Sequence, residues 1–199
     1  MNSPVPMMES APGAYTVIDG QRYLYFAGTS YLGLAGRPEI VEATCSAVRR
    51  YGVHTATSRT GYGNSAPVME VEHRAAEFFG TDASLYFATG YVSNHLLVQA
   101  LGSATDAVFV DEASHYCVNE AALLARKDVF RFRHLDPGSL AELLKRRLPA
   151  TGRPLVLTDG VFAATGALAP LPDYLEVLAP YEGASVVVDD AHGIAVLGE

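Results

Sequence analysis

No apolar run in the sequence approaches the ~20 residues a helix needs to cross a bilayer, and Met1–Gly13 has neither the charged start nor the apolar centre of a signal peptide. A cytoplasmic protein with no membrane partner is the expectation. Basic residues are few: Lys and Arg total 14 against 22 Asp and Glu, a net charge of -8, with no basic block to track a phosphate backbone. Nucleic acid is therefore excluded as an expected partner. Cysteine is scarce too, and Cys45 and Cys117 have neither metal-ligand spacing nor a disulfide framework, which suits a reducing compartment and gives them no assigned role. The dinucleotide fingerprint Gly-x-Gly-x-x-Gly and the Gly-Lys-Ser/Thr of a Walker loop are both missing. What is present is globular: 199 residues, 49% hydrophobic and 18% charged, enough for one or two cores.

The chain reads in three parts. Residues 1–14, rich in Pro, Ser and Met without periodicity, read as a mobile arm. Residues 15–65 hold a short strand at Arg22–Ala27, a glycine-punctuated loop, an amphipathic helix at Glu39–Tyr51, and the polar, Gly-containing loop Val53–Ser65. That loop is too long for a simple turn and is a candidate functional segment, with Arg59 as a phosphate or partner contact or a solvated surface charge. Residues 66–199 open with a helix from Pro67 to Gly80 and then alternate. Strands are expected at Ser84–Ala88, Ala107–Val110, Val129–Phe132, Leu155–Thr158 and Ser185–Val188. Helices are expected between them at Val92–Leu101, Cys117–Ala125, Gly138–Arg147 and Asp173–Tyr181. Such alternation predicts a doubly wound, mainly parallel α/β sheet.

Ligand sites of such sheets lie outside the carboxyl ends of the strands, and chemistry-bearing residues gather there. The run Val186-Val187-Val188 ends in Asp189-Asp190-Ala191-His192-Gly193. Two other strands deliver Asp111-Glu112-Ala113-Ser114-His115 and Asp159-Gly160-Val161-Phe162. The junction Ala88-Thr89-Gly90-Tyr91 opens a helix, where backbone N–H groups and the helix dipole favour an anion such as phosphate. His115 and His192 each follow a predicted strand, whereas His54, His73, His95 and His134 read as ordinary satisfied or exposed side chains. Asp111, His115, Asp189 and His192 could also be read as metal ligands of a hydrolase.

In order along the chain, Tyr31-Leu32-Gly33-Leu34, Thr89-Gly90-Tyr91-x-x-Asn94, Asp111-x-x-x-His115, Asp159-Gly160-Val161-Phe162 with Gly166 and Ala169-Pro170-Leu171, and Val188-Asp189-Asp190-Ala191-His192-Gly193-x-x-x-Leu197-Gly198 resemble the α-oxoamine synthases. These are pyridoxal 5'-phosphate enzymes of aminotransferase fold type I that condense an amino acid with an acyl-CoA, losing CO2 and CoA. The resemblance runs from about Arg22 to the last residue. It implies that Gly90 and Tyr91, with Thr89 beside them, hold the cofactor phosphate, that the His115 imidazole stacks on the pyridine ring, and that Asp189 pairs with the ring nitrogen. It places His192 beside the ring hydroxyl and Asp159 among the cofactor-binding residues. It also implies a homodimer with sites at the subunit boundary, reached by the loop Ala56–Ser65. Plain transamination on the same fold would use a similar cofactor site.

Departures accompany the resemblance. The family carries its Schiff-base lysine beyond the histidine matched by His192, whereas the only lysines here are Lys127 and Lys145, in contexts that do not match. The expectation is the front portion of a longer enzyme, inactive by itself, or else a lysine-less relative that pairs with a catalytic subunit. Thr29-Ser30, Cys117 and Ala163 differ from common family residues, which bears on the choice of amino acid and acyl-CoA. In the resembled fold, later strands separate Ser84–Ala88 from Leu155–Thr158, so the chain alone is expected to be poorly soluble.

Overall fold

The computed structural model describes residues 5–198. The chain divides into two compact units, residues 1–86 and 87–199.

In the first unit, β1 (Tyr15–Ile18) and β2 (Gln21–Leu24) form an antiparallel hairpin. The turn residues Asp19 and Gly20 both take positive φ, the conformation a two-residue hairpin turn demands. Met7–Glu9 lie along β1, with the Glu9 N–H bonded to the Val17 carbonyl and the Asp19 N–H to the Met7 carbonyl. The later part of the expected arm is thus tied down, and residues 1–4 lie outside the described residues. The strand expected at Arg22–Ala27 is this hairpin's second arm, ending at Leu24. Helix α1 (Pro38–Tyr51) starts with proline and stops at Gly52; α2 (Ala66–Phe79) stops at Gly80 in the left-handed region.

The strand expected at Ser84–Ala88 does not form. No strand stands beside it among the described residues, and its polar groups are satisfied by a helix instead of a ladder. The Tyr86 N–H donates to the Glu72 carboxylate at 2.8 Å and the Ser84 hydroxyl to the Glu72 carbonyl at 2.7 Å.

The second unit is a parallel sheet of β3 (Ala107–Asp111), β4 (Asp128–Phe132), β5 (Pro154–Asp159) and β6 (Ser185–Asp189) in the order β4-β3-β5-β6. Helix α3 (Ser93–Gly102) leads into β3, and α4 (Tyr116–Leu124), α5 (Pro137–Arg147) and α6 (Leu171–Leu178) connect the successive strands. Strand alternation sends Val108, Val110, Leu155 and Leu157 to one face, against Val98, Val118 and Ala121 of α3 and α4. It sends Phe109 and Val156 to the other, against Leu140, Leu144, Tyr174 and Leu178 of α5 and α6. Helices on both faces make the sheet doubly wound, as the alternation of elements predicts. Among the described residues no helix is long and apolar enough to cross a membrane.

Candidate functional site

Parallel pairing brings the strand carboxyl ends to one edge, where Asp159 of β5 and Asp189 of β6 are register partners. Asp159 is buried and accepts the His115 N–H at 3.1 Å. Burial pushes its carboxyl up to about 6; the His115 N–H works against this and the charge of Asp189 adds to it. Asp189 is half-buried. Its Oδ2 accepts the Asn94 side-chain N–H at 2.6 Å and lies 3.8 Å from Cys117 Sγ, while Oδ1 accepts the Ala191 N–H at 3.2 Å. Asp190 is exposed and turned aside, its carboxylate packed where a Cβ on Gly160 or Gly193 would collide with it. Burial, then the charge of Asp189, raises its pKa.

His115 caps the N-terminus of α4. Its Nδ1 lies 3.4 Å from the Cys117 N–H and 2.8 Å from Cys117 Sγ, and its ring centroid stands 4.1 Å from that of Tyr116. The residue as a whole remains exposed at the sheet edge. His192 stands half-buried in the turn that follows β6.

The junction Thr89–Val92 forms a single 3-10 turn before α3. The Thr89 hydroxyl accepts the Tyr91 N–H at 3.3 Å, and the Ser93 hydroxyl donates to the Gly90 carbonyl at 2.6 Å. A Cβ added at Gly90 would meet nothing within 4 Å, so open space stands over that backbone. The Tyr91 hydroxyl donates to Glu120, and its ring stacks on His95 with centroids 5.2 Å apart.

Asn94, Cys117 and Glu120 had no role in the sequence reading. Asn94 is in the quoted motif, yet only the fold brings its amide to Asp189, a residue 95 positions away. Asp111 goes the other way. Although it ends β3, it is fully buried, and its carboxylate accepts the Ala113 and Leu135 N–H groups at 2.9 and 3.0 Å and meets His134 Nδ1 at 3.0 Å. That carboxylate closes two loops, leaving it no room to bind a ligand. Among the described residues no group of three or more His, Cys, Asp and Glu is placed to hold a metal ion.

In the first unit, Arg59 is neither a solvated charge nor an open anion contact. Its guanidinium is bidentate to Glu72 at 2.6 and 2.8 Å and donates to Asn64 Oδ1 at 2.9 Å and to the Tyr86 carbonyl at 3.3 Å. Together with the Tyr86 N–H, it holds the Glu72 carboxyl down at about 2. The loop is wound tightly: a Cβ on Gly63 would collide with the carbonyls of Thr57 and Ser58.

The chain has relatives over nearly its whole length. A family described as aminotransferase class I and II matches residues 24–199. The 8-amino-7-oxononanoate synthase of Pseudomonas aeruginosa is 42% identical over 193 residues, 97% of this chain and 47% of the relative, and that of Geotalea daltonii is 38% identical. Among solved structures, serine palmitoyltransferase of Sphingomonas wittichii superposes with a TM-score of 0.89 at 29% identity, over 98% of this chain and 48% of that one. The S. paucimobilis enzyme, solved with a bound PLP-myriocin aldimine, gives 0.85 at the same identity. The chain spans about half the length of the curated relatives it matches.

Proposed function

Because the chain belongs to the aminotransferase class I and II family, we propose that it holds pyridoxal 5'-phosphate at the carboxyl edge of its sheet and serves a condensation of an amino acid with an acyl-CoA that releases CO2 and CoA. The observation that carries this reading is the Asp189 carboxylate, half-buried at the end of β6 and aimed by a 2.6 Å bond from Asn94, beside the exposed His115. The donor set suits the cofactor: an acid for a ring nitrogen, an imidazole for a ring face, and a helix start with open space over Gly90 for a phosphate.

Bound there, the cofactor supplies an electron sink for the pair left at an amino acid's α-carbon. The chain's own residues would do the rest. Thr89, Gly90 and Tyr91 hold the phosphate by hydroxyl and backbone N–H; Asp189 keeps a proton on the ring nitrogen; His115 covers the ring; and His192 stands by the ring hydroxyl. Asp159 holds the His115 backbone in place through its N–H. Neither lysine of the chain stands at this edge: Lys127 precedes the opposite end of β4, and Lys145 is in the last turn of α5. Activity therefore requires a lysine that these 199 residues do not supply, and they alone are expected to be inactive. A second copy of the chain is the proposed partner, supported by Ile40, Val41 and Val48, which lie exposed on α1.

The test is equilibrium binding of pyridoxal 5'-phosphate, followed by absorbance. Asp189→Asn should weaken binding by about tenfold or more through loss of an opposite charge at the ring nitrogen, whereas Asp190→Asn should stay within about twofold. No saturable binding, or a larger effect at Asp190, overturns the assignment. In a polypeptide carrying this chain and the lysine, thiol release from an acyl-CoA on adding an amino acid marks condensation; its absence alongside keto-acid formation marks transamination.

A further inference from the structure

We propose that Asn94 and Cys117 are positioning residues that join the Asp189 carboxylate to the His115 imidazole through a continuous chain of hydrogen bonds running outward from the Asn94 amide; the inference rests on the cofactor reading above for its purpose, though not for its geometry. Asn94 lies in the first turn of α3, directly after the Thr89–Tyr91 junction, and is 3% exposed. Its side-chain nitrogen has two protons to give. One goes to Asp189 Oδ2 at 2.6 Å and the other to Cys117 Sγ at 3.6 Å.

Cys117, also 3% exposed, has one thiol proton and two acceptors in reach. His115 Nδ1 is 2.8 Å away and Asp189 Oδ2 is 3.8 Å away, so the nearer imidazole takes it. Burial, reinforced by the charge of Asp189, raises the thiol's pKa and keeps that proton on sulfur. The Cys117 backbone N–H is directed at the same Nδ1. With two donors converging on it, Nδ1 is an acceptor, and the ring proton sits on Nε2.

All the directions agree: Asn94 donates at both ends, Cys117 accepts and passes on, His115 receives. The arrangement has a use at this site. It fixes the carboxylate that would face a positively charged ring nitrogen, and in the same network it orients an imidazole that presents an uncharged face to the ring. It also joins three separate elements, α3 after the phosphate junction, the start of α4, and the end of β6. The spacing between the phosphate-holding and nitrogen-holding ends of the site is thereby set by one amide and one thiol.

The experiment reads the S–H stretch by infrared spectroscopy in a Cys45→Ser background, leaving Cys117 as the only thiol. The band should be displaced from the free-thiol position, return toward it in His115→Phe, and stay displaced in Asp189→Asn. An undisplaced band in the parent, or a band that answers to Asp189→Asn and not to His115→Phe, overturns the chain as drawn. Binding of pyridoxal 5'-phosphate supplies the second reading. Cys117→Ser, which keeps a donor, should hold affinity within about threefold, while Cys117→Val and Asn94→Leu should each weaken it by about tenfold. If Val and Leu bind as the parent does, the positioning role is wrong. If the parent itself binds no cofactor, the proposed function fails, and the infrared result alone decides the inference.

Discussion

The two units spend their apolar residues differently. In residues 87–198 the central strands β3 and β5 are buried along their whole length, and Val108, Phe109, Val110, Leu140, Leu144, Leu155 and Val156 have no exposed surface. In residues 5–86 neither α1 nor α2 buries a single apolar side chain, and the buried residue of α2 is Glu72. Yet α1 carries a helical apolar stripe as regular as any in the second unit. A stripe without a covering face contributes little to stability. The first unit is held mainly by polar contacts, the Arg59–Glu72 pair and the hairpin ladder, whereas the second is held by packing.

The sharpest way to break this contrast is to remove one large side chain from each unit. Phe109→Ala in β3 should cost about 3–5 kcal/mol in urea denaturation, as deletion of a buried aromatic does. Val41→Ala on exposed α1 should cost within about 0.5 kcal/mol. Equal losses would mean that the stripe is buried in solution.

Next in size is the polar latch. Glu72→Gln removes the charge that receives both guanidinium nitrogens of Arg59 and should raise proteolytic cleavage within residues 57–65 by about an order of magnitude. Cleavage within residues 87–198 should not change. Loss of protection in both units at once would show that the latch supports more than its own loop.

A smaller effect concerns association. If the α1 stripe meets a second copy, Val41→Glu with Val48→Glu should weaken self-association several-fold in sedimentation while leaving the melting of residues 87–198 in place. Unchanged sedimentation would remove α1 from the interface.

The least change is expected from pH, and its sign differs between units. Glu72 titrates at about 2 in the folded chain against an ordinary 4.5, so its contribution is present above that ordinary value and is lost as pH falls toward 2. Asp159 titrates at about 6 against 3.8. The folded state holds this proton more tightly, so the second unit is more stable near pH 4 and loses that increment as pH rises through 6. Hydrogen exchange, corrected for its own pH dependence and read separately over the two units, should show opposite slopes, and Asp159→Asn should flatten the second.

How far the site could be read from the sequence follows the same division between local and tertiary information. The strand-to-helix rhythm from Ala107 onward is local, and six of the expected elements there lie within a residue of their observed ends. Ser84–Ala88 has a similar short apolar run and is not a strand, because a strand exists only with a hydrogen-bonded neighbour, and here the Glu72 carboxylate takes the Tyr86 N–H. Asp111 and Asp159 look alike in sequence, each a carboxylate closing an apolar run. The first is sealed by the Leu135 and Ala113 N–H groups and His134, while the second stays at the site edge under the His115 N–H.

The sequence by itself determined the parallel α/β architecture, since apolar periodicity and glycine or proline punctuation act within a few residues, and it placed Asp159 and Asp189 at strand ends, where β-branched runs stop. Only the tertiary structure decided which polar groups meet. It brought Asn94 and Cys117 to Asp189, turned Asp190 aside against Gly160 and Gly193, and gave Arg59 to Glu72. A hydrogen bond needs its partners within about 3 Å, and at separations of 13 to 95 residues that distance is set by how sheet and helices pack, which no local pattern encodes.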